Sequence, residues 1–110
     1  MPSDLVDAAE LVPEAAFTLH VMEYAVQRGW AVMHISDSRR SYSKGFPDLL
    51  LAKPGRIVFA ELKKVKVARS TNRGLSKVQM KWHEVLAPGP SEWYLWTPAM
   101  WDEVEEVLNR

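Results

Sequence analysis

The sequence predicts an α/β domain built on a mixed four-stranded sheet flanked by helices, in the order α-β-β-β-α-β-α. Three observations predict it. Two near-continuous apolar runs, 48–52 and 57–62, flank the turn signal Lys53-Pro54-Gly55-Arg56, which reads as a hairpin. Apolar residues recur at three- and four-residue spacing in three separate stretches, the signature of amphipathic helices. The chain is 110 residues long with 47% hydrophobic residues, enough for one core and too short for two.

The elements follow in order. Residues 1–12 read as a short leader before a single domain over 13–110. Over 13–29, Phe17, Val21, Tyr24 and Ala25 lie on one helical face, with Pro13 suited to the first turn and Gly29 to the C-terminal cap. A strand follows over 30–35, then a polar, Arg-rich loop over 36–45. The hydrophobicity of the two hairpin strands predicts burial on both faces, hence helices covering the sheet. Residues 64–74 form a second basic loop without periodicity. Over 76–86, Val78, Trp82, Val85 and Leu86 restore helical spacing, and Ser76-x-x-Gln79 reads as a capping box at its start. Pro88-Gly89-Pro90 breaks the chain before a fourth strand over 93–96. Thr97-Pro98 starts a last helix whose buried stripe is Trp101, Val104 and Leu108. Trp82, Trp93, Trp96 and Trp101 are spaced as packing residues. His20, His34 and His83 show no metal-ligand spacing.

Composition narrows the function. No apolar run approaches the ~20 residues of a membrane span, and Met1-Pro2-Ser3-Asp4 lacks the features of a secretory signal. With no cysteine, disulfide frameworks, thiolate zinc sites and thiol nucleophiles are excluded, and a reducing cytoplasm is the expected setting. The net charge is zero, yet residues 1–37 carry −5, residues 38–81 carry +10 and residues 82–110 carry −5. Such segregation predicts a basic face with acidic flanks, suited to a polyanion such as nucleic acid; the alternative is a set of solvated loop lysines.

Two carboxylates sit inside the basic block. If the hairpin closes symmetrically about Pro54-Gly55, Lys53 faces Arg56 and, continuing outward, Asp48 faces Glu61. Opposed side chains share a face with Cβ atoms roughly 4.5–5.5 Å apart, and Lys63, two residues past Glu61, shares it too. Opposed like charges are destabilising unless neutralised, and a hard divalent cation is the obvious means. Carboxylates, cation and lysine together suit metal-assisted hydrolysis of a phosphodiester. On the alternative reading, Asp48 only starts a strand after Pro47, and Glu61 pairs Lys63 or Lys64 at a sheet end.

Gly45-Phe46-Pro47-Asp48, then Glu61-Leu62-Lys63, then Leu75-Ser76-x-x-Gln79, with Ser38-Arg39-Arg40-Ser41 upstream, resembles the VRR-NUC branch of the PD-(D/E)XK nucleases, in particular its small stand-alone phage and bacterial members. The likeness covers roughly residues 13–108. It implies a restriction-endonuclease-like core and cleavage of DNA phosphodiesters with Mg²⁺ or Mn²⁺. By this resemblance Asp48 and Glu61 are metal ligands, the Leu62 carbonyl is a further one, and Glu14 completes the shell. Lys63 is the catalytic lysine and Gln79 supports it; Thr18 stands where the family has a glutamine after Phe17. Arg39, Arg40, Lys44, Gly45, Lys64, Lys66, Arg69, Arg73 and Lys77 are the expected DNA contacts. A homodimer acting on duplex or branched DNA, such as a Holliday junction, is expected, because cutting two strands needs two sites. The rival expectations are a non-catalytic nucleic-acid-binding module and a subunit active only within a replication or repair assembly.

Overall fold

The computed structural model describes residues 13–35, 44–63 and 74–110. Its elements are α1 (Glu14–Gln27), β1 (Ala31–His34), β2 (Leu49–Lys53), β3 (Arg56–Leu62), α2 (Lys77–Leu86), β4 (Glu92–Trp96) and α3 (Trp101–Asn109). They form one mixed sheet in the order β1-β2-β3-β4, with antiparallel pairing except between β3 and β4. A parallel pair requires a crossover, and α2 supplies it. No helix among the described residues is long and apolar enough to cross a membrane.

Each end of α1 follows from its sequence. Pro13 is the N-cap, and its carbonyl accepts from Phe17 N–H at 3.0 Å. At the other end Gly29 takes a positive φ of 91°, which turns the chain so that Trp30 N–H reaches the Ala25 carbonyl. Trp30 belongs to the core rather than to the first strand: it is buried, and its Nε1–H donates to the Leu108 carbonyl at 3.0 Å. Thr97-Pro98 opens a single 3₁₀ turn, Pro98–Met100, and the α-helical bonds begin only at Trp101.

The core lies between the sheet and the α1–α3 layer. Phe17, Val21 and Ala25 of α1 and Val104, Val107 and Leu108 of α3 pack on Leu49, Leu51, Val58, Ala60, Leu62 and Trp96. The expected burial of β2 and β3 on both faces is complete on this face and partial on the other. On the other, Ile57 is 47% and Met33 57% exposed, and α2 buries none of its own residues fully. An apolar run does not reveal whether its second face finds a cover, which is a matter of helix length and placement. Of the four tryptophans expected to pack, Trp96 is fully buried, whereas Trp82, Trp93 and Trp101 are half-buried. Trp101 stacks on His20 at 4.0 Å, and Trp93 lies 4.3 Å from His83.

Two cations of the basic block serve the fold. Arg56 grips Glu92 through two hydrogen bonds of 2.7 Å, and its guanidinium also donates to the Val107 and Arg110 carbonyls at the end of α3. Lys53 Nζ and Arg56 Cζ lie 4.7 and 4.9 Å from the centre of the Trp30 ring. The hairpin tip is thereby fastened to the C-terminus of α3, where cations complement the helix dipole.

Candidate active site

The hairpin closes in the predicted register: Lys53 pairs with Arg56 and Leu49 with Ala60. Gly55 makes the turn at φ 85°. One step beyond the last ladder pair, Asp48 and Glu61 stand opposite each other at the open end of the hairpin, on the face that α2 covers. Asp48 is held from two sides. Its Oδ2 accepts from Leu62 N–H at 2.8 Å, and its carbonyl accepts from Ile35 N–H at 2.8 Å, which ties the β2 start to β1. The preceding Pro47 is fully buried, and Phe46 meets Phe59 and Trp82 edge-on at 5.6 and 4.7 Å. Phe46 was not singled out by periodicity because it stands in a turn; its only signal is its place beside Pro47 and Asp48.

Glu61 is only 4% exposed. Burial pushes its carboxyl up to about 8, with the Asp48 carboxylate reinforcing the shift and Lys63 opposing it. Lys63 Nζ lies 4.0 Å from Glu61 Oε2, and its backbone N–H donates to the Trp96 carbonyl at 2.9 Å, anchoring the lysine to β4.

Gln79 joins these groups. Its Nε2 donates to Glu61 Oε2 at 2.9 Å, while its Oε1 accepts from Lys63 Nζ at 3.2 Å and from Ser76 N–H at 2.9 Å. Ser76 Oγ in turn accepts from Gln79 N–H at 3.3 Å, completing a capping box at the start of α2. The amide that closes the cap of α2 is also hydrogen-bonded to Glu61 and Lys63, because the capped helix end faces the carboxylates.

The remaining expected residues divide. Glu14 is exposed in the first turn of α1, and its charge adds to the upward push on Glu61. Thr18 Oγ1 donates to the Glu14 carbonyl at 2.9 Å, so this threonine is engaged with its own helix. Lys44 and Lys77 are exposed, and the Lys44 carbonyl accepts from Trp82 Nε1–H at 2.9 Å. Gly45 has a φ of 81°, and a Cβ there would fall 2.6 Å from the Val78 carbonyl carbon. Its lack of a side chain is thus used by the α2 backbone. Arg39, Arg40, Lys64, Lys66, Arg69 and Arg73 lie outside the described residues.

Among the described residues no group of three His, Cys, Asp or Glu side chains is arranged to hold a metal ion. Two carboxylates are nevertheless sufficient protein ligands for Mg²⁺, which keeps waters and takes substrate phosphate oxygens for the rest. Asp48, Glu61 and the Leu62 carbonyl offer hard oxygen donors only, and a buried Glu61 crowded by Asp48 is the arrangement that a divalent cation relieves. The donor set fits such an ion.

No family model matches the chain, and no curated protein matches it. A solved structure described as "VRR_NUC domain" superposes with a TM-score of 0.63 at 26% sequence identity, covering 84% of this chain and 94% of that one. The chain has a VRR-NUC-like fold. The VRR-NUC-like core is the α/β arrangement described above, a mixed four-stranded sheet with three α-helices among the described residues. Within it, the hairpin and the N-terminus of α2 bring Asp48, Glu61, Lys63 and Gln79 to one place.

Proposed function

We propose that this chain is a metal-dependent endodeoxyribonuclease whose active site is formed by Asp48, Glu61, Lys63 and Gln79. The observation that carries the reading is the buried Glu61 beside Asp48, with Lys63 4.0 Å away on the same face. Such a cluster is a poor way to stabilise a sheet end, since burial and the neighbouring charge both raise Glu61. It is a good way to hold a divalent ion.

Asp48, Glu61 and the Leu62 carbonyl would hold Mg²⁺ or Mn²⁺, with Glu14 as a further carboxylate from α1. A bound ion of this kind polarises a phosphoryl oxygen and lowers the pKa of a bound water. Lys63 presents its ammonium where it can steady negative charge developing on the phosphate or orient the attacking water. Gln79 keeps that ammonium beside Glu61 and leaves the lysine with donors to spare. Arg39, Arg40, Lys44, Lys64, Lys66, Arg69, Arg73 and Lys77 supply phosphate contacts that hold the DNA, and Gly45 keeps the turn beside α2. Because each chain offers one such site, scission of two strands, as in duplex or branched DNA of the Holliday-junction type, calls for a homodimer.

The test is a panel of labelled duplex, flap and four-way DNA incubated with Mg²⁺ or Mn²⁺, comparing wild type with Asp48→Ala. Metal-dependent cutting by wild type alone, with equal DNA binding by both, supports the reading. Binding without cutting on every substrate would make the chain a nucleic-acid-binding module, and cutting only with an added partner would make it a subunit of a larger assembly. Sedimentation at micromolar concentration, with and without DNA, tests the dimer.

A further inference from the structure

The Gln79 amide does its work only in one orientation. As placed, Oε1 faces two donors, Ser76 N–H and Lys63 Nζ, and Nε2 faces an acceptor, Glu61 Oε2. Turned over, the NH₂ group would meet two donors and the oxygen would meet the carboxylate. Lys63 cannot enforce the orientation alone, because its flexible side chain also has Glu61 within reach at 4.0 Å. The Ser76 N–H can, because it is a backbone group fixed at the N-cap of α2, with φ −72° and ψ 170°. The first turn of α2 is itself held against the site, since Gly45 approaches Val78 and Gln79 too closely to admit a side chain.

We propose that Ser76 is a positioning residue for the Glu61–Lys63 pair, its backbone N–H setting the direction of the Gln79 amide. The helix cap is then a part of the active site, and it need not touch substrate to matter; what Ser76 controls is how Lys63 and Glu61 are presented. The inference rests on the nuclease reading above for its effect on turnover, but its geometry stands apart from that reading.

The side chain and the backbone of Ser76 can be separated by substitution. Ser76→Ala removes the Oγ cap and keeps the N–H, whereas Ser76→Pro removes both. Proline prefers φ near −65°, close to the φ of Ser76, and Pro13 already occupies the N-cap of α1 at φ −61° and ψ 149°. With Mn²⁺ and a cleavable DNA, kcat of Ser76→Pro should fall about tenfold below that of Ser76→Ala with KM equal, the effect of one lost orienting hydrogen bond. Equal kcat in the two variants, or a difference in KM alone, overturns the proposal.

A second measurement needs neither metal nor DNA and serves if the proline variant does not fold. The Ser76 amide proton should exchange slowly in wild type and much faster in Gln79→Met, which removes its acceptor. Equal exchange rates in the two proteins overturn the positioning role. Absence of cutting by wild type on the whole substrate panel, by contrast, defeats the nuclease reading and leaves this exchange result to judge the geometry.

Discussion

Gln79 and Glu61 are joined Nε2 to Oε2 at 2.9 Å across 18 residues of sequence. The bond sets α2 in register with β3: the first turn of the helix can sit only where its third residue reaches the end of the strand. The β2–β3 hairpin and the crossover helix, each formed by local sequence, are thus locked together where Asp48 and Glu61 lie.

Replacing Asp48 by Asn should abolish metal-dependent cutting while leaving the fold intact. The amide oxygen still accepts from Leu62 N–H, but the charge that a cation needs is gone. Activity should fall roughly a thousandfold or more, the scale of several kcal/mol that a metal's Lewis acidity supplies. Stability should stay within about 1 kcal/mol of wild type, since relief of the Glu61 shift offsets the weakened hydrogen bond. Cleavage assays and denaturant melts on the same preparation check both halves.

The metal-free protein should lose stability as pH rises from about 4.5 towards about 8. In that window the folded state keeps a proton on Glu61 that the unfolded chain has released, so the native form binds more protons and rising pH favours unfolding. Thermal melts in EDTA across this range should show a steeper fall for wild type than for Glu61→Gln. Parallel curves would show that Glu61 does not retain its proton on folding.

Manganese should reverse that fall. An ion bound by the native state stabilises it by mass action, and its ligands must be deprotonated. At a pH near 8, added Mn²⁺ should raise the melting temperature of wild type and leave Asp48→Asn unchanged. Calorimetric titration of the ion gives an independent reading of the same difference.

Arg56→Met should destabilise the domain by roughly 2–3 kcal/mol, because it removes a bidentate charged contact, leaving Glu92 with the Tyr94 hydroxyl alone and taking the guanidinium donor from the Val107 carbonyl. Arg56 and Glu92 side chains are only 19% and 26% exposed, so solvent screens the pair little. Under conditions where the variant is folded, DNA affinity should match wild type, since this cation points at α3. A double-mutant cycle with Glu92→Gln isolates the pair.

Gly45→Ala should cost both stability and activity. The new Cβ meets backbone at 2.6 Å, and the positive φ of 81° adds strain for any other residue. A loss of roughly 2 kcal/mol or more is expected, accompanied by displacement of α2 and hence of Gln79. Denaturant melts and the metal-dependent cleavage rate should fall together; retention of full activity would mean that α2 can shift without disturbing the site.

The order of elements was legible from the sequence because period and punctuation are local. The Pro54-Gly55 turn, closing symmetrically between two apolar runs, specifies the pairing of β2 with β3, and that pairing alone places Asp48 opposite Glu61 with Lys63 on their face. Ser76-x-x-Gln79 was equally readable as a cap. What the sequence by itself determined about this protein is therefore the register of one hairpin, the start of one helix and the chemistry both could carry. Only the tertiary structure decided that the cap and the hairpin meet, that Arg56 is spent on Glu92 and α3 rather than on a polyanion, and that Met33 and Ile57 stay exposed on one sheet face. Those outcomes depend on where distant segments come to rest, and side chains such as Gln79 and Arg56 offer the same donors and acceptors whatever partner the packing brings to them.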